Sequence, residues 1–160
     1  MKVNGRLWRA ICRFVLTTGP EAMTRHVFTY GSLMFTDVWK PIVPRPLASV
    51  AAVLKDFARE GVRGQRYPGI RREAGAHTPG RLYLNVDDDE LARLDAFEGD
   101  EYHRESVQVG VATRDGRALT LPAEVYCFID PAGLNGEPWD PARFARESAA
   151  GFYCEHATRG

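Results

Sequence analysis

The chain has 160 residues, of which 44% are apolar and 26% charged, with 21 basic side chains balancing 21 acidic ones. That is enough for one domain with a proper core, too short for two comfortable ones, and ordinary in composition for a soluble globular protein. Zero net charge with scattered arginines leaves no electrostatic footprint for nucleic acid or an anionic membrane, and no apolar run approaches a transmembrane helix in length.

Met1–Pro20 is basic and lacks acids, and its apolar patch Ile11–Leu16 is interrupted by Arg13. A signal peptide needs an unbroken apolar region and a small-residue cleavage site, so residues 1–22 read instead as a loosely attached arm. The domain is expected over 23–160. His26–Tyr30 is β-branched and aromatic, as a first strand requires. Gly31-Ser32 breaks it, and Leu33–Trp39 reads as a short helix capped by Ser32 and stopped by Pro41. Leu47–Phe57 is apolar enough for a second strand. Gly61–Ile70, with three glycines and Pro68 around Tyr67, reads as mostly loop. Gly80–Val86 alternates as a strand does. Asp87 with Glu90 three residues on forms a variant capping box for a helix running to Glu98. Tyr102–Ala112 alternates, Asp115-Gly116 supplies a hairpin turn, and Leu119–Ile129 returns. Asp130–Asp140 is rich in turn residues, and Pro141–Tyr153 reads as a closing helix with Phe144 and Phe152 on one side. Strands dominate and pair as consecutive neighbours. The expected class is α+β: a small, mainly antiparallel, twisted or closed sheet with helices at its mouth.

Two segments carry candidate chemistry. In Leu91–Arg104, Leu91, Leu94 and Glu98 share one helix face at i, i+3 and i+7, which sets a carboxylate in an apolar stripe. Gly99 is a natural helix stop, so Glu98 is expected in the last turn, where burial and the negative end of the dipole both raise its pKa. A carboxyl poised nearer neutrality suits a general acid or base; an exposed, idle carboxylate at a frayed end is the competing reading. The second segment is Tyr30-Gly31-Ser32-Leu33. A strand ending in a Gly-Ser turn before a helix directs backbone N–H groups toward one point and can hold an anion such as a carboxylate; an ordinary capped corner is the alternative. Ser32 lacks the elbow motif and the histidine of a serine nucleophile.

The remaining candidates are weaker. Cys12, Cys127 and Cys154 are odd in number and far apart, which argues against a disulfide framework and fits a reducing cytoplasm. His26, His77, His103 and His156 show no metal-ligand spacing beyond Cys154 to His156, so no metal is expected. Asp87-Asp88-Asp89 reads as a solvated cap complementing the dipole. Tyr67, Tyr102 and Tyr126 could line a pocket, but as strand aromatics they are expected in the core. No dinucleotide or phosphate loop is present.

FTYGSLM after the first strand, RYPGI in the middle and LDAFEGDEYHR before a long strand occur here in that order. Together they resemble the gamma-glutamylcyclotransferase superfamily, and in particular bacterial members grouped with the AIG2-like proteins. The resemblance runs from about His26 to Tyr153. It implies a mixed α+β fold around a barrel-like sheet, and release of 5-oxoproline and an amine or amino acid from gamma-glutamyl compounds without metal or organic cofactor. It further implies that Glu98 is the catalytic acid/base and that Tyr30, Gly31, Ser32 and Leu33 form the substrate-binding corner. Tyr102 and Arg104 would take pocket-wall and structural roles. The implied partner is a small-molecule gamma-glutamyl substrate. A non-catalytic binding module using the same pocket is the alternative; leaving group and oligomeric state stay open.

Overall fold

The computed structural model describes residues 23–148. The expected arm, the far end of the closing helix with Phe152, and Cys12, Cys154 and His156 lie outside the described residues. In chain order the elements are strand β1 (Arg25–Thr29), a 3-10 turn (Ser32–Met34), helix α1 (Thr36–Ile42), β2 (Ser49–Val62) and β3 (Pro68–Val86). Helix α2 (Asp88–Glu98), a 3-10 turn (Gly99–Glu101), β4 (Tyr102–Ala112) and β5 (Ala118–Phe128) follow. A 3-10 turn (Pro131–Gly133), β6 (Leu134–Pro138) and α3 (Pro141–Ser148) complete them.

The strands run β3-β1-β5-β4-β2-β6, and β2 also pairs with β3, so five strands close into a barrel with β6 added at its edge. Only β1 and β5 pair in parallel; the other pairs are antiparallel. Alternation explains what fills the barrel. Leu121, Ala123, Val125 and Cys127 of β5 point inward and meet Val109 and Val111 of β4 and Ala52 and Leu54 of β2. Leu54 and Phe57 are both inside although three residues apart. The bulge at Asp56, whose φ is 62°, reverses the strand's parity between them. A second core lies outside the barrel, where Val27, Tyr83 and Val86 meet Val38 and Trp39 of α1, Leu91 and Leu94 of α2, and Phe144 of α3. Trp39 stacks on Tyr83 with ring centroids 3.6 Å apart. β1 is therefore buried on both faces, as the strand between two layers must be.

Expectation and structure agree on the class, on β1 and the hairpin of β4 and β5 to within a residue, and on α2 with its capping box. There Asp87 accepts from the Glu90 amide at 2.8 Å and Glu90 from the Asp87 amide at 3.0 Å. Elsewhere the elements are longer. β2 and β3 pair along their length, from Ser49 with Tyr83 to Gly61 with Pro68, leaving only residues 63–67 as loop. β6 sits in the stretch expected to be loop. It is short, carries Gly136 and Pro138, and pairs with β2 at only two positions, so no local pattern marks it. Ser32 does not cap the first helix: α1 starts at Thr36 with Phe35 at its N-cap position. Pro41 lies inside α1, because in a final turn its missing N–H costs one bond only, and Val43 still donates to the Trp39 carbonyl at 2.9 Å.

Candidate functional site

A cleft of about 870 Å³ opens where the end of β1, the 63–67 loop, the C-terminus of α2 and the start of β4 converge. Its lining includes Tyr30, Gly31, Ser32, Leu33, Glu98 and Tyr102, which the sequence separates by some seventy residues. Tyr67 and Tyr126 line it as well, so all three tyrosines expected as core aromatics reach the cleft instead.

Leu91 and Leu94 are buried in the second core, and the helix face they define delivers Glu98 to the cleft floor. Gly99 then takes φ 67°, in the left-handed region that glycine tolerates, and turns the chain so that Tyr102 starts β4 beside the glutamate. Burial pushes the Glu98 carboxyl up from 4.5 to about 8. The Glu98 charge in turn opposes ionisation of Tyr30, Tyr102 and Tyr126, whose phenols burial already holds well above their ordinary range.

The phenol protons are committed elsewhere. Tyr30 donates to the Tyr126 carbonyl at 2.6 Å, Tyr102 to the Pro68 carbonyl at 2.7 Å, and Tyr126 to Asp95 Oδ1 at 2.7 Å. Tyr67 donates to Glu101 Oε2 at 2.8 Å and bridges the loop to the turn after α2. Any further hydrogen bond these oxygens make must be one they accept.

The corner has a different logic from the one its composition suggests. A Cβ on Gly31 would lie 2.7 Å from Pro68 Cγ, so Gly31 is demanded first by the proline of the RYPGI segment. The Ser32–Met34 turn closes through Met34 N–H to the Gly31 carbonyl at 3.0 Å. The amides ahead of Met34 have no acceptor within the turn. The N-cap positions of the turn and of α1 fall on Gly31 and Phe35, so Ser32 caps neither. Leu33 packs its side chain into the second core and accepts from the Tyr83 hydroxyl at 3.3 Å, leaving only its backbone for the cleft. Arg104 does not line the cleft. It pairs with Asp95 at 3.3 Å, and Asp95 in turn holds Tyr126, so the arginine buttresses the wall from behind.

Sequence reasoning missed Arg59, Pro68 and Asp95 as supports. Arg59 donates to the Tyr30 carbonyl at 2.9 Å and lies over the Trp139 ring at 5.3 Å, tying the corner to the segment before α3. Only Pro68 had a local signal, its place in RYPGI; the other two act through partners distant in sequence.

Residues 27–143 match the family model described as gamma-glutamyl cyclotransferase, AIG2-like. The chain is 35% identical to AIG2-like protein D of Arabidopsis thaliana over 131 residues, covering 81% of this chain and 86% of that one. It superposes on the solution structure of another Arabidopsis thaliana protein with TM-score 0.64 at 27% identity, over 83% of this chain and 79% of that one. A structure titled gamma-glutamyl cyclotransferase shares the fold at TM-score 0.51 and 22% identity, with 68% of each chain covered. The named relatives are plant proteins, and nothing in the comparison supports the bacterial branch that the motifs suggested. Since the match spans β1, the corner, Glu98 and the start of α3, the chain belongs to the AIG2-like gamma-glutamyl cyclotransferase family.

Proposed function

We propose that the protein releases 5-oxoproline and a free amine or amino acid from a gamma-glutamyl compound by intramolecular aminolysis, with Glu98 as proton shuttle. The observation that carries this reading is a carboxyl on the floor of an open cleft, raised to about 8 by burial. The substrate α-amine attacks its own γ-carbonyl carbon, the new C–N bond closes the lactam, and the old amide C–N bond breaks. Of the ammonium's three hydrogens one stays on the lactam nitrogen and two end on the departing amine, so a single carboxyl that takes and returns protons suffices. Its raised pKa lies near that of an α-ammonium, where transfer in both directions is easiest.

The attack is intramolecular, so the protein's main task is to hold the folded-back conformer, worth roughly 7–11 kcal/mol at best. We assign the α-carboxylate to the amides of the Gly31–Leu33 corner and the α-ammonium to Glu98 and the lone pairs of the neighbouring phenols. Tyr30 and Tyr102 form the wall and Arg104 supports it. No metal is needed in this scheme, because the buried carboxyl supplies the proton transfer and the corner amides supply the anion site. We place the protein in the cytoplasm on its cysteine usage. Among the described residues no helix is long and apolar enough to cross a membrane.

The experiment is a panel of gamma-glutamyl amino acids and amines assayed for 5-oxoproline with chelator present. At least one free-amine compound should yield lactam and displaced amine in equal amounts, and its N-acetylated counterpart should yield none, because acetylation removes the nucleophile. Tight calorimetric binding across the panel with no product would replace the enzyme by a binding module.

A further inference from the structure

We propose that His103, Glu105 and Cys127 form a second site, for a single divalent cation of the zinc type. In the antiparallel register of β4 and β5, His103 stands opposite Cys127 and Glu105 opposite Val125. The two-residue period then puts all three side chains on the barrel-facing side of these strands. Their donor atoms lie within 4.8 Å of one another, and His103 Nε2 is 2.8 Å from Glu105 Oε1. Among the described residues they are the one such group of three. None of them lines the cleft that holds Glu98.

Donors around a tetrahedral zinc ion sit roughly 3–4 Å apart, so rotamer adjustments within strands already fixed by the barrel bring these three into place. A thiolate and a carboxylate neutralise a dication, and the imidazole completes a mixed nitrogen, oxygen and sulfur set that favours zinc over magnesium or calcium. Exposure falls from His103 through Glu105 to buried Cys127, so the ion would rest on the thiolate and keep an outward position for water. Arg72 donates from Nη2 to Glu105 Oε2 at 2.8 Å, which leaves Oε1 for the ion and orients the carboxylate from behind. Its guanidinium is a repelling charge as well, but it lies over the Phe57 ring with its side chain largely in solvent, where water screens it. Burial holds the free thiol up to about 12, so binding expels one thiol proton to solvent as the sulfur–metal bond forms.

The test uses the full chain, stripped with chelator and titrated with cobalt(II) as the spectroscopic probe. A thiolate-to-cobalt charge-transfer band should grow to saturation at one equivalent and be displaced by zinc. It should persist when Cys12 and Cys154, the other cysteines of the chain, are both changed to serine. Cys127→Ser should abolish it. Because that change touches the barrel core, His103→Asn provides a surface variant that should weaken zinc binding at least tenfold. Zinc should raise the unfolding midpoint of the wild type and leave that of His103→Asn nearly unmoved. Absence of the band at stoichiometric cobalt, its survival in Cys127→Ser, or unchanged zinc affinity in His103→Asn would each overturn the proposal.

Discussion

At the scale of single residues, Glu98 is set apart by what it lacks. A carboxylate at the end of a helix ordinarily keeps its charge in water, whereas here the charge must form between tyrosine rings and backbone. Glu98→Gln keeps shape and removes the shuttle, so kcat should fall by roughly 10²–10⁴ while KM changes only a few-fold; wild-type turnover by this variant would end the proposed mechanism. Since Glu98 must be ionised to accept a proton, the wild-type rate should climb with pH through an apparent pKa near 8 rather than near 4.5. In the corner, Gly31→Val drives a branched side chain into the Pro68 ring and should lose both activity and stability. Ser32 occupies neither N-cap position, so the unfolding midpoint of Ser32→Ala should match the wild type. The roughly 1 kcal/mol expected of a capping serine would show instead if the hydroxyl held the turn.

At the scale of elements, α2 is fixed at both ends by different means. Its start rests on Glu90, buried although charged, which closes the capping box and takes two bonds from Arg45 at 2.7 and 2.6 Å. Its end is set by Gly99 and by β4 pulling away. Glu90→Ala would remove the bond back to the Asp87 amide and both bonds from Arg45, which keeps only the Asn85 carbonyl at 2.9 Å and Asp87 at 3.8 Å. Arg45 is half exposed and water recovers part of its loss, so a cost of about 2–3 kcal/mol is expected in urea unfolding. Because the same helix carries Glu98, the variant should also lose activity at temperatures where the fold still stands, whereas an equally destabilising change in β6 should not. The capping box and the apolar face of α2 are readable in the sequence because they are contacts within one helix. Arg45, forty-five residues upstream of its partner, is not.

At the scale of the whole molecule, holding a carboxyl out of water for use as a base has a cost in stability whose sign can be worked out. In the unfolded chain Glu98 gives up its proton near 4.5, and in the folded chain near 8. Between those values the folded state keeps a proton that the unfolded state has released, so stability declines as pH rises through the window. The difference in unfolding free energy between Glu98→Gln and the wild type should therefore widen by roughly 2–4 kcal/mol from pH 5 to pH 9, in favour of the variant. Parallel pH profiles for the two proteins would show that the carboxyl is not desolvated.

Local patterns set much of this protein before any tertiary contact exists. Alternation in Tyr102–Ala112, the Asp115-Gly116 turn, the box at Asp87 and the stripe Leu91, Leu94, Glu98 each depend on residues a few positions apart, and each appears in the structure. The order of YGSL, RYPGI and FEGDEYHR was enough to place the chain in its family. Barrel closure settled the remainder. Pairing along β2 and β3 turned an apparent loop into strand, and the edge of β2 recruited β6 despite its glycine and proline. The same closure set Pro68 against Gly31 and gave the tyrosines their partners at Pro68, Asp95 and Tyr126. Such contacts depend on register between distant strands, which hydrophobic periodicity constrains only to one face or the other.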